Sequence, residues 1–124
     1  MGLEKGAVLI VDNHEGMPEL IAKMLLCLFG FFSDCAGSFE EAIFAITRKE
    51  YILVISNNRL LGGESGGELV IQSAKAVSGA SKTILMSSFE SDAEIAKKAK
   101  ADAFFLKPIR LKELEKTVEV LLAG

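Results

Sequence analysis

The chain has 124 residues, half of them hydrophobic and a quarter charged, which suits one globular domain over 1–124 that buries roughly two-thirds of its unfolded surface. Fourteen basic against 17 acidic side chains leave a net charge of −3, and no clustered Lys/Arg stripe offers a nucleic-acid backbone an electrostatic footprint. No apolar stretch approaches the ~20 residues of a membrane helix and Asp12 interrupts the first apolar run, so neither a membrane span nor a signal peptide is expected and the chain reads as cytoplasmic.

In chain order, Ala7 to Val11 is a short apolar run closed by Asp12-Asn13, the pattern of a central strand with polar groups at its carboxyl end. Pro18 opens a helix, where its missing N–H does no harm; Leu20, Ile21, Met24, Leu25 and Leu28 mark its inner face, and Gly30 stops it. Phe31 to Cys35 is a second strand, placed near the sheet edge by Ser33 and Asp34. Ser38-Phe39-Glu40-Glu41 is a capping box for a helix through Lys49, with Ala42, Ile43, Ala45 and Ile46 inward. The unbroken run from Ile52 to Ile55 stops at Ser56-Asn57-Asn58-Arg59, as a buried parallel strand does at a ligand-facing edge. Ser65 and Glu68 form a second capping box, followed by Leu69, Val70, Ile71 and Ala74 on one helical face and an exit at Gly79. Thr83 to Met86 is a fourth strand ending in Ser87-Ser88. Ser91 through Lys100 is a charged, alanine-rich helix with little large apolar surface, expected to be loosely held. Ala103 to Leu106 is a fifth strand closed by Lys107-Pro108, and Leu111, Leu114, Val118, Leu121 and Leu122 stripe a final helix. Five strands alternating with five helices imply an α/β fold with a parallel sheet, covered on both faces by right-handed crossovers.

The carboxyl ends of four of these strands bring Asp12, Asn13, Asn57, Ser87, Ser88 and Lys107 toward one polar pocket. In order, spacing and chemistry the chain resembles a response regulator receiver domain over essentially its full length. An acidic pair follows the first strand in that family, and Asp12-Asn13 stands there with its second member an amide. Asn57 stands where the phosphoryl-accepting aspartate ends the third strand. Ser87 matches the hydroxyl residue of the fourth strand, Lys107-Pro108 the lysine before proline, and Phe104 the switch aromatic. The resemblance implies a flavodoxin-like doubly wound (βα)5 fold with strand order 2-1-3-4-5. It also implies a signalling role in a two-component phosphorelay rather than an enzymatic one.

Two departures affect the same chemistry. An aspartate accepts a phosphoryl group because its carboxylate is an anionic nucleophile, which the amide of Asn57 is not. Magnesium favours carboxylate oxygens, and of the family's ligands only Asp12 and the main-chain carbonyl of Arg59 remain, with Lys107 nearly cancelling the one carboxylate. Weak or absent magnesium binding and no other cofactor are therefore expected. The reading is a pseudo-receiver that acts by phosphorylation-independent contact with a signalling protein: a histidine kinase, an output domain or another receiver. A weak homodimer would use the face of the fourth helix, fifth strand and fifth helix, where Arg110, Lys112, Glu113, Glu115 and Lys116 supply both signs of charge. The alternative is a small-ligand binder or enzyme using the same crevice, since this topology hosts many functions.

Plainer roles are also open to individual residues. Asn57 and Asn58 suit strand-end amides, Ser87 a loop hydroxyl, Phe104 a core position and Lys107 a structural counter-ion to Asp12. The single histidine, His14, is expected in solvent. Gly62 to Gly67 lacks the ending of a phosphate-cradling loop and reads as flexible. Cys27 and Cys35 have neither metal nor redox spacing and are expected as small buried apolar groups without a disulfide.

Overall fold

Which helix covers which face is decided by alternation along five short strands. The computed structural model describes residues 6–60 and 66–123. Its elements are β1 (Ala7–Val11), α1 (Met17–Phe29), β2 (Phe32–Ala36), α2 (Phe39–Ile46), β3 (Leu53–Asn57), α3 (Gly66–Val77), β4 (Lys82–Ser87), α4 (Ala93–Ala99), β5 (Ala103–Leu106) and α5 (Leu111–Leu122). All strand pairs are parallel and the order is β2-β1-β3-β4-β5, the doubly wound flavodoxin-like arrangement.

Val8, Ile10, Leu53, Ile55, Ile84 and Met86 face one way, and Ile21 and Leu25 of α1 with Leu114 and Val118 of α5 pack on them. Leu9, Val11 and Val54 face the other way, against Ala42 and Ile46 of α2 and Val70 and Ala74 of α3. Leu85 on that second face meets Ile71 of α3 with Ala96 and Ala99 of α4. Each strand residue of these layers is fully buried, and burying such a side chain is worth about 1.5–3 kcal/mol. Among the described residues no helix is long and apolar enough to cross a membrane.

Several expectations need correction. The second strand runs one residue later than its sequence pattern suggested, and α2 ends at Ile46 instead of continuing to Lys49. There the Thr47 hydroxyl donates to the Phe44 carbonyl at 2.9 Å, and Lys49 turns to Asp34 on the edge strand at 3.0 Å. In the capping box Ser38 accepts from the Glu41 N–H as expected, but the Glu41 carboxylate accepts from Gly37 rather than Ser38. Leu20 and Leu28 are about half exposed, because the core takes up only the narrower stripe of Pro18, Ile21 and Leu25. Cys27 and Cys35 are exposed free thiols, one on α1 and one on the edge strand.

Gly30 terminates α1 at a φ of 76°, a left-handed conformation that glycine adopts without strain, so that its N–H reaches Leu26 and that of Phe31 reaches Leu25. Gly66 and Gly67 correct the flexible reading of their segment, while positions 61–65, including Ser65, lie outside the described residues. A Cβ on Gly67 would sit 2.1 Å from the Asn57 carbonyl oxygen and 2.5 Å from the Asn58 Cα. Here the missing side chain lets α3 start directly against the end of β3, where the Gly67 N–H donates to the Asn58 carbonyl at 2.8 Å.

Candidate functional site

Backbone bonds beyond the strand ends align the polar residues. The Asp12 N–H donates to Ala36, that of Asn58 to Met86 and that of Lys107 to Ser87, at 2.8–3.0 Å. Each ladder is thus continued by one residue, and the side chains that follow emerge along one edge. They divide into two clusters.

The first is built on Asp12, whose side chain is fully buried. Its Oδ1 accepts from the His14 N–H and from Asn57 Nδ2, both at 2.9 Å, while Lys107 Nζ lies 3.3 Å from Oδ2. His14 Nδ1 lies 2.9 Å from Asp12 Oδ1 and 3.1 Å from Lys107 Nζ. The ring is therefore part of the cluster, although most of its surface is in water. The expectation of a solvated histidine holds for most of the ring, and the structure adds its contact with Asp12. Nothing in a lone histidine two residues after a strand-end aspartate announces it; the turn that carries its N–H back to Asp12 does. Asn57 is 4% exposed and its Oδ1 is buried with no partner among the described residues.

The second cluster is built on Asp92, which the sequence patterns did not single out. Its Oδ2 accepts from Ser87 Oγ at 2.6 Å and Asn58 Nδ2 at 3.0 Å, with Arg59 Nε at 3.4 Å, and Arg59 Nη2 is 3.4 Å from Oδ1. Burial raises the Asp92 pKa, but the hydrogen bonds from Ser87, Asn58 and Arg59 together with the Arg59 charge outweigh it and leave the carboxyl below its ordinary value. Asp92 precedes α4 as a cap residue would, yet its side chain makes no capping bond. Only the fold reveals that it points back to β3 and β4.

Of the expected site residues, Asp12, Asn57 and Lys107 are therefore bonded together. Ser87 belongs to the Asp92 cluster. Asn13 is exposed and Ser88 is exposed, both lining a cleft of about 230 Å³ with His14, Asn57, Arg59 and Lys107. Arg59 directs its side chain to Asp92 and stacks 4.1 Å from the Phe89 ring centroid. Phe104 is partly buried and packs with Ile71, Leu85, Ala96 and Ala99, away from Asp12. An adjoining groove of about 550 Å³ continues from His14 and Lys107 over Met17, Leu20, Pro108 and Ile109. A roomier one, about 610 Å³, lies on the far side between β2 and α2. Its partly buried polar contact, Tyr51 Oη donating to Asp34 at 2.8 Å, is already made, so it gathers less chemistry than the strand-end cleft.

A divalent ion such as magnesium takes about six oxygen ligands. Among the described residues the donors at the cleft do not fit one: the Asp12 carboxylate already accepts from an amide and a backbone N–H and faces an ammonium group. Among the described residues no three His, Cys, Asp or Glu side chains converge.

No protein-family model matches the chain, and no curated protein matches it. Solved structures do. The response regulator TrrA of Thermotoga maritima, in complex with magnesium and beryllofluoride, is 28% identical over 94% of this chain and 99% of its own, with a TM-score of 0.79. The chemotaxis response regulator CheY4 of Vibrio cholerae is 17% identical over 94% and 98%, with a TM-score of 0.82. The receiver domain of a sensor histidine kinase from Pseudomonas aeruginosa, with magnesium in its active-site cleft, is 18% identical over 96% and 98%, with a TM-score of 0.80. The chain shares the fold of response regulator receiver domains.

Proposed function

We propose that this chain is a single receiver-like module of a two-component system that signals by protein contact, without accepting a phosphoryl group at Asn57. The observation that carries the reading is the position and bonding of Asn57. It ends the central strand β3 at the mouth of the cleft, and its amide nitrogen donates to Asp12. An amide offers no anionic oxygen for nucleophilic attack, and one carboxylate held by Lys107 gives a divalent ion little to bind. On this reading the module works in the cytoplasm, holds no magnesium, catalyses no reaction and meets a histidine kinase, an output domain or another receiver.

Repair of the site tests the proposal. Asn13→Asp with Asn57→Asp is expected to bind magnesium and take a phosphoryl group from a small phosphodonor, and Asn57→Asp alone to do so poorly. A double variant that binds no metal would mean that Asn57 does not occupy the acceptor position.

A second reading, a small-ligand binder in the same crevice, draws support from the apolar groove that continues the cleft past Met17 and Ile109. A thermal-shift screen with nucleotides and flavin separates the two, since a ligand at a hundredfold its dissociation constant stabilises by ~2.7 kcal/mol.

A further inference from the structure

The segment from Ser87, the last residue of β4, to Asp92, which ends a 3-10 turn over Glu90–Asp92, folds back on itself. Ser87 Oγ donates to Asp92 and accepts from the Phe89 N–H at 2.9 Å, so this hydroxyl is engaged on both sides within the loop. Asn58 and Arg59 reach the same carboxylate from the end of β3. Arg59 also stacks on the Phe89 ring, and Asp92 itself is 2% exposed. A buried carboxylate is tolerated only when donors satisfy it, and removing it strands every donor at once.

The helix that follows has little else to hold it. α4 is seven residues long and fully buries only Ala96 and Ala99, which supply small apolar area, with Ile95 packed beside them but only partly buried. A helix so poorly anchored by packing is expected among the first segments to open. Its attachment through Asp92 is polar, and it runs directly to the residue beside Asn57.

We propose that Asp92 is a clasp: a positioning residue that ties the β4–α4 loop and the first turn of α4 to the ends of β3 and β4, and keeps the Ser87 hydroxyl turned toward α4 instead of the cleft. The α4 surface is then set by an internal carboxylate and needs no occupant in the cleft. The clasp uses Asn58, Arg59 and Ser87, and so stands whether or not Asn57 accepts a phosphoryl group.

Hydrogen exchange of the whole chain at neutral pH, read by mass spectrometry, tests it. In Asp92→Ala, segment 88–100 is expected to exchange at least about tenfold faster while β1 and α1 keep their protection. Asp92→Asn, which keeps one acceptor, should fall between. Asn58→Asp sets a second carboxylate against Asp92 without removing an atom from the loop, and should loosen the same segment; it serves equally if Asp92→Ala fails to fold. In each variant that loosens the segment, the Phe89 amide resonance should shift as its bond to Ser87 changes. Segment 88–100 as protected as in the parent chain, or faster exchange spread evenly over all segments, would overturn the proposal.

Discussion

Asn57 Nδ2 lies 2.9 Å from Asp12 Oδ1 across the β1–β3 pair, and Lys107 Nζ approaches the other oxygen of the same carboxylate from β5's end at 3.3 Å. The negative charge at the head of β1 is thus met by groups of the protein itself. Each of the three side chains is mostly buried, so each depends on the others for its hydrogen bonds.

Asp12→Ala is accordingly expected to destabilise the fold by about 3 kcal/mol in urea unfolding, since it leaves Lys107 and the Asn57 amide without their acceptor. Lys107→Met, which removes the cation but keeps its apolar stem, should cost less. Equal and negligible effects of both would show that the cluster is solvated and adds nothing.

Gly67→Ala should be among the most damaging single-methyl changes. Its Cβ would meet the backbone of Asn57 and Asn58, not a movable side chain, so α3 or the end of β3 must shift. A loss of about 2–3 kcal/mol is expected, together with altered amide resonances for Asn57 and Asn58. Gly79→Ala, whose new methyl meets nothing within 4 Å, is the matched control and should leave those resonances in place.

Much of this architecture is legible before any coordinates. Ala7–Val11 announces itself because buried parallel strands are continuous apolar runs, Ala103–Leu106 carries the same apolar run although it lies at the sheet edge and is only partly buried, and Pro18 and Gly30 fix the ends of α1 by backbone geometry alone. Asp12, Asn57 and Lys107 were found because strand ends are where a doubly wound sheet collects polar groups. Asp92 and His14 were not, since a side chain's direction out of a turn is set by backbone torsions that no periodicity records. The exposure of Leu20, Leu28 and Cys27 was hidden for a related reason: spacing says which residues share a helix face, not how wide a stripe the sheet can cover. Gly67 looked like part of a flexible tract because the strand it must approach is distant in pattern though adjacent in space.

Tyr51 offers a clean pH probe, being the only tyrosine in a chain without tryptophan. Burial, the hydrogen bond it donates to Asp34 and the charge of Asp34 all raise its pKa above the ordinary 10.0. The neutral phenol is favoured by folding, so the stability it contributes is complete below pH 10 and is lost as pH rises beyond. Tyrosinate absorbance should therefore develop well above pH 10 and in step with unfolding. In Asp34→Asn it should appear earlier; an ordinary phenol titration in the parent chain would remove the Asp34 contact.

Pairing through α4, β5 and α5 would need an apolar centre, because surface ion pairs contribute only ~0–1 kcal/mol each. Leu106 and Val120 are exposed on these elements, Val120 by 74%, and Arg110, Lys112, Glu113 and Lys116 lie exposed on or beside α5. A weak, salt-sensitive dimer is expected by sedimentation, diminished by Arg110→Glu and Lys112→Glu and abolished by Val120→Asp. A dimer indifferent to all three substitutions would place the contact elsewhere.

Intact-mass spectrometry after incubation with a small phosphodonor and magnesium measures directly whether Asn57 leaves the cleft unable to take a phosphoryl group, as proposed. No change in mass is expected for the parent chain, while Asn13→Asp with Asn57→Asp in the same reaction gains one acid-labile phosphoryl group. A gain of one phosphoryl group by the parent chain, lost again in Asp12→Ala, would contradict the claim and make Asp12 the acceptor.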